Sequence, residues 1–348
     1  MTKMLQSRRS VLKGVASAAS AAFFARAFAP ALAQTKPEVG SLVVAPQFGI
    51  AYLPLHVIKA EKLLEKHLTK NGLPNSKVDW VQTTGGAAAN EALLSGNVHI
   101  VSGGVGPLLT IWDRTKGNAD VKGIGCFDAT ALYLNTINPH VKTLKDFTDK
   151  DRIALPAVKI SIQAVTLQMA CEKEFGTGQH TKLDHLTVSM SHPDATAALL
   201  SGKSEITAHL TSPPFQFQQL EDPKVKKVFS SFDVLSGPAT FTSAFTTSKF
   251  RNENPRTYKA FIDALTEAHE FVQKNRGPSV KIYIDEEKSK LSEAFIGKML
   301  DSPDIKHTIV PLNTLKYAEF MHQVGSLRNK PASWKDYYFP DIHGVMGS

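Results

Sequence analysis

The chain has 348 residues, 42% apolar and 21% charged, with forty Lys and Arg against thirty-two Asp and Glu for a formal net charge of +8. This is globular composition, which excludes disorder, collagen and coiled coil, and the length suits one large domain or two moderate ones. Two cysteines, Cys126 and Cys171, exclude a disulfide scaffold and a four-cysteine zinc site.

Residues 1–33 carry Lys3, Arg8, Arg9, Lys13 and Arg26 and no acid, so most of the excess charge sits there. The rest of the chain has no basic block, and hence no nucleic-acid footprint. Ser7-Arg8-Arg9-Ser10-Val11-Leu12-Lys13, a short apolar run from Gly14 to Ala25, and Ala31-Leu32-Ala33 read as a charged n-region, an h-region and a cleavage site. The paired arginines resemble a twin-arginine export signal, which implies a periplasmic destination. The apolar run is too short to span a bilayer, and no later segment is long and apolar enough to do so. Cys126 and Cys171 would then meet an oxidising compartment; whether they pair is left open by the sequence.

In the mature part, Leu42–Ala45 reads as a buried strand and Pro46–Gly49 as a turn, and a helical pattern starts at Leu53. Val78–Val81 is a strand, and Thr83-Thr84-Gly85-Gly86 opens a helix to about Ser95. Val98–Val101 is a strand, Gly103-Gly104 opens a helix to about Arg114, and a strand begins at Val121. The alternation then restarts. Strands are predicted at Ile153–Leu155, Leu186–Val188, Ile206–His209 and Val225–Ser230, with helices at 161–175, 193–201 and 213–220. Beyond Pro255 only helices are predicted, over 255–275, 278–289, 291–300 and 314–326, with a last piece near Trp334. Strand–helix alternation of this kind predicts an α/β fold with mostly parallel pairing.

An internal repeat organises these elements. Val81–Pro107 aligns without gaps on Thr187–Pro213, with 8 identities in 27 positions and Ala92–Gly96 matching Ala198–Gly202. Gly96 and Gly202 each suit the left-handed position that ends a helix. Two similar α/β lobes follow from this, with ligand candidates at strand ends and helix starts. Those are Phe48 and Tyr52; Thr83, Thr84, Gly85 and Gly86; Gly103 and Gly104; and Lys159, Ser161, Gln163, His209, Thr211 and Ser212.

Phe48–Leu55, Ala92–Gly96, Lys159–Gln163, Ala198–Gly202, His209–Pro214 and Trp334–Pro340 together resemble periplasmic substrate-binding proteins of ABC importers. The likeness is to the nitrate/sulfonate/taurine branch, itself similar to thiamine-pyrimidine-binding proteins, and covers nearly all of residues 40–340. The resemblance implies a two-lobe Venus-flytrap fold, each lobe a mostly parallel sheet flanked by helices. It places chain crossings near Leu132–Asn135 and Ala239–Thr242, lobe one at 40–131 plus 243–348, and lobe two at 132–242. It implies a small-molecule ligand held without a cofactor, a monomer, and delivery to a membrane permease with its ATPase. The Thr and Gly positions can hold a small oxyanion. Lys159 is the cationic candidate, and Phe48, Tyr52 and Phe241 would suit a ring or apolar tail.

An enzymatic role is disfavoured: there is no G-x-S-x-G elbow, phosphate loop or H-E-x-x-H motif. His180, His185, and His192 with Asp194 read as surface or capping residues rather than ligands. A periplasmic enzyme or biosynthetic relative on the same fold and a ligand-presenting sensory protein are the alternatives. The enzyme would need a cysteine-rich motif that two distant cysteines do not supply.

Overall fold

A computed structural model describes residues 38–348; the expected export segment, residues 1–33, lies outside them. The first sheet takes β1 (Ser41–Ala45), β2 (Lys77–Trp80), β3 (Ile100–Gly104) and β4 (Lys122–Cys126), where short apolar runs become buried strands. Between them lie α1 (Leu53–Ala60), α2 (Leu63–Lys70), α3 (Gly86–Leu94) and α4 (Val105–Thr115). The helical pattern from Leu53 is divided at Lys62, whose φ of 50° is left-handed.

After the short β5 (Asp128–Thr130) the chain enters a second sheet, made of β6 (Tyr133–Thr136), β7 (Ile153–Leu155), β8 (Thr187–Ser189), β9 (Ala208–Thr211) and β10 (Lys226–Ser230). Its helices are α5 (Ile162–Phe175), α6 (His192–Ser201), α7 (Phe215–Leu220) and α8 (Ser231–Leu235). The chain then returns to the first sheet as β11 (Thr242–Thr246). It finishes through α9 (Ser248–Glu253), α10 (Pro255–Lys274), α11 (Arg276–Glu287), α12 (Glu293–Leu300), β12 (Ile305–His307) and α13 (Thr314–Gln323).

The two sheets share one plan. Their strand orders are β2-β1-β3-β11-β4 and, read from the far edge, β8-β7-β9-β6-β10. In each, three parallel strands meet an antiparallel strand that has crossed from the other sheet, and an edge strand completes the five. The repeat maps onto this plan: α3 starts at Gly86 and α6 at His192, which are aligned positions. Gly96 (φ 77°) and Gly202 (φ 61°) both end their helices in the left-handed region, as the sequence predicts.

One strand departs from the helices-only expectation beyond Pro255. β12 pairs antiparallel with β5, Ile305 opposite Thr130 and His307 opposite Asp128. Its signal is a three-residue alternation, buried, exposed, buried, too short to stand out, and its partner is remote in sequence. An apolar cluster runs through both sheets and their helices. The long α10 packs Phe261, Ala264, Leu265 and Ala268 inward, at the spacing of one helix face, over α1 and α2. Cys126 and Cys171 are both buried free thiols. Burial pushes them up to about 11 and about 12, which keeps them protonated and unreactive. Among the described residues no helix is long and apolar enough to cross a membrane.

Candidate ligand-binding site

Strand ends and helix starts of both sheets meet at a cavity of ≈ 30 Å³. Gln47, Phe48, Tyr52, Thr84, Gly86, Gly104, Pro107 and Phe241 line it from one side, and Pro156, Ser161, Ile162, Gln163 and His192 from the other. No Lys, Arg, Asp or Glu belongs to this lining. Its polarity comes from neutral side chains and from backbone.

Four helices begin at the cavity. Gly86 opens α3, Gly104 precedes α4, Ser161 precedes α5, and His192 opens α6. A helix start presents unpaired N–H groups and the positive end of the macrodipole. The two lobes differ in how they cap. Ser161 and Ser191 accept hydrogen bonds from their own helices, from Ala164 N–H and Asp194 N–H. Gly85 and Gly104 have no side chain to do so. The N–H groups of Gly86, Ala87 and Ala88 consequently find no acceptor among the described residues. Such a start is suited to an anion.

Side chains add further donors. The Ser161 hydroxyl spends an oxygen lone pair on the Ala164 N–H at 3.2 Å and keeps its proton to give. Tyr52 sits edge-on to Phe127, ring centroids 6.0 Å apart. Burial, with the charges of Asp128 and Glu287, pushes its phenol well above the usual range, so it stays an O–H. Gln47 is anchored by donating to the Ser102 carbonyl at 2.6 Å.

The two sides touch around the cavity. Ile50 N–H donates to the Pro213 carbonyl at 3.3 Å. A Cβ on Gly104 would lie 2.6 Å from Ile162 Cγ2 across the cavity; within the first side, one on Gly86 would lie 2.2 Å from Pro107 Cγ. By this measure of volume a water needs roughly 10–15 Å³. The enclosed space therefore suits a very small occupant, and a larger one enters only as the two sides part. Phe48 and Thr84 also line an outer groove of ≈ 670 Å³, walled by Asp194, Phe215, Tyr283 and Glu287 among others.

The structure gathers Phe48, Tyr52, Thr84, Gly86, Gly104, Ser161, Gln163 and Phe241 of the predicted residues at this cavity. Others do not line it. Thr83 is buried and donates to the Pro46 carbonyl at 3.2 Å, Gly85 packs on Pro156, and Gly103 packs against Phe245 and Gln47. His209, Thr211 and Ser212 are buried in the layer behind His192. Lys159 does not line the cavity: it sits in a left-handed turn (φ 66°) with its side chain exposed, where a long charged chain is solvated rather than enclosed.

His192 overturns the sequence reading of a surface or capping residue. It is 9% exposed, lines the cavity and stacks on Phe215 at 5.6 Å. Its neighbours are the Gln163 carboxamide at 3.1 Å and His209 at 2.9 Å. Burial pushes its imidazole down to about 3, so it is neutral. The repeat held a signal for it, because His192 is the aligned partner of Gly86. Gln47 and Pro156, which follow β1 and β7, were missed at strand ends, and Pro107 and Ile162 within the first turns of α4 and α5. His185, exposed beside Asp149 at 3.1 Å, matches the surface reading. Among the described residues no group of His, Cys, Asp and Glu is placed to hold a metal.

No protein-family model and no curated protein matches the chain. Solved structures do. The alkanesulfonate-binding protein SsuA from Xanthomonas axonopodis pv. citri, bound to MOPS, superposes with a TM-score of 0.67 at 18% identity, covering 84% of this chain and 96% of that one. The periplasmic nitrate-binding protein NrtA from Synechocystis PCC 6803 gives 0.67 at 13% identity, covering 86% and 85%. A Candida albicans protein described as having the generic periplasmic binding protein fold gives 0.64 at 14% identity, covering 84% and 92%. What these likenesses establish is architecture: the chain has the two-lobe periplasmic-binding-protein fold.

Proposed function

We propose that the protein is the periplasmic solute-binding component of an ABC-type importer, which captures a small organic or inorganic anion between its lobes and hands it to the permease. The observation that carries this reading is the convergence of four helix N-termini, two from each side, on a cavity free of charged side chains. Dipole ends and neutral donors attract an anion without an obligatory salt bridge. An anion so held dissociates without breaking an ion pair, as delivery requires. The sulfonate- and nitrate-binding functions of structurally similar proteins support the same ligand class.

In this reading lobe one is 40–131 plus 243–348 and lobe two is 132–242; the two sheets support this division except at the second crossing, where Thr242 already opens β11 of the first sheet. Ligand enters the parted lobes, bridges them and favours closure through its higher affinity for the closed arrangement. The protein acts as a monomer, holds no cofactor, performs no chemistry and is exported by its twin-arginine-type N-terminus.

The test is thermal unfolding of residues 34–348, refolded free of ligand, against nitrate, alkyl and aryl sulfonates, carboxylates and pyrimidines. A ligand at 100 times its Kd adds about 2.7 kcal/mol of stability, which raises the melting temperature. A rise confined to anions supports the reading. A rise with pyrimidines alone, or conversion of a bound compound into product, refutes it.

A further inference from the structure

We propose that a buried relay of polar side chains in the second lobe fixes Gln163 as a hydrogen-bond donor to the cavity, so that this wall selects an acceptor atom such as an oxyanion oxygen. The proposal rests on the anion-site reading above and assigns the residues that enforce it. His192 and His209 are positioning residues: they act through Gln163.

The direction of the relay is set at its far end by a backbone carbonyl, which can only accept. Asn135 Nδ2 lies 3.0 Å from the Gln216 carbonyl and 3.0 Å from Gln219 Oε1, and its two N–H bonds serve both. Turning the Asn135 amide around would set its oxygen against that carbonyl, so its orientation is determined. Gln219 must then keep its oxygen toward Asn135. Its nitrogen faces Thr196 Oγ1 at 2.9 Å and His209 Nδ1 at 2.7 Å. A carboxamide nitrogen only donates, which makes His209 Nδ1 an acceptor.

A neutral imidazole carries one N–H, so His209 carries it on Nε2. That group is 2.9 Å from His192 Nδ1, which accepts in turn. The Thr211 hydroxyl, 3.2 Å from the same nitrogen, can donate there or to the Ser212 carbonyl and fits this order. His192 therefore carries its proton on Nε2, directed at the position that Gln163 Nε2 occupies 3.1 Å away, so the relay requires the amide to be turned around. A donor there needs an oxygen. Amide oxygen and nitrogen are told apart by the network they join, and this network puts Gln163 Oε1 against His192 and its N–H₂ toward the cavity it lines. The second amide atom of Gln163 has no partner among the described residues, so that N–H₂ is free to donate. Burial keeps both imidazoles neutral, so the order passes through them unbroken.

The test is imidazole nitrogen NMR of the full chain with ¹⁵N-labelled histidine, between pH 6 and 8, the two rings assigned with His192→Gln and His209→Gln. Expected are two neutral rings, each protonated at Nε2 and bare at Nδ1. A proton on Nδ1 of either ring, or a charged ring, overturns the relay. A second arm titrates wild type and Gln163→Glu with nitrate and methanesulfonate. The carboxylate keeps an acceptor for His192 and replaces the donor, so at least a tenfold loss of affinity is expected, and unchanged affinity overturns the proposal. Wild type that binds no anion defeats the importer reading instead, and the nitrogen spectrum still decides the relay.

Discussion

Glycine at 86 and 104 answers to space rather than to backbone angle. Neither has a positive φ, yet a side chain at either would collide with a neighbour. At Gly86 the neighbour is the rigid ring of Pro107 in the same lobe. Gly86→Ala is therefore expected to cost about 1–3 kcal/mol, an overpacking penalty readable by chemical denaturation. At Gly104 the neighbour is Ile162 on the opposite side of the cavity. Parting the lobes relieves that collision, so Gly104→Ala is expected to weaken ligand binding far more than it lowers stability. Equal affinity in isothermal titration would show that the two sides do not close on the ligand as proposed. Lys159→Ala is expected to leave binding unchanged, since its side chain is in solvent.

The four helix starts are not equivalent elements. α5 is capped by Ser161, whose hydroxyl both accepts from Ala164 N–H and faces the cavity. Ser161→Ala is thus expected to act twice: about 1 kcal/mol of stability for the lost cap, and ~0.5–1.5 kcal/mol of binding for the lost donor. Thr84 caps nothing, because Gly85 takes the cap position of α3. Thr84→Ala is expected to lower affinity by the same ~0.5–1.5 kcal/mol with no change in melting temperature of the free protein. A fall in melting temperature without loss of affinity would place Thr84 in the scaffold.

At the scale of the whole molecule, buried titratable groups make stability depend on pH with opposing signs. Burial lowers His192 to about 3 and His269 and His307 to about 4, and His209 well below its usual value. Between those values and 6.5 the unfolded chain binds more protons at these sites, so stability falls as pH drops through this window. Asp128 works the other way. It is fully buried, accepts from Thr242 N–H at 3.0 Å, and is pushed up to about 7 by burial. Its contribution is largest at low pH and is lost as pH rises from about 4 through 7. Four histidines outweigh one aspartate, so the urea midpoint is expected to rise from pH 4.5 to pH 6.5. Asp128→Asn removes the opposing contribution and should steepen that rise; an unaltered slope would contradict the burial argument.

The α/β class, most strands and helices, and the duplicated plan were legible in the chain. These rest on local pattern: apolar runs, helical spacing, and glycines such as Gly96 and Gly202 whose backbone demand is written in one residue type. That pattern also placed strand ends and helix starts, and so reached Thr84, Gly86, Ser161 and Gln163 at the cavity. Which polar residues face inward was settled by packing between elements remote in the chain. His192 and Lys159 exchanged the roles expected of them because burial is set by what packs against a residue from other elements, here Phe215 and His209 around His192 and open solvent around Lys159. The pairing of β5 with β12 and the proton order running from Asn135 to Gln163 have the same origin. Both depend on partners brought together by the fold, and no local pattern in the chain encodes a hydrogen bond between residues so far apart.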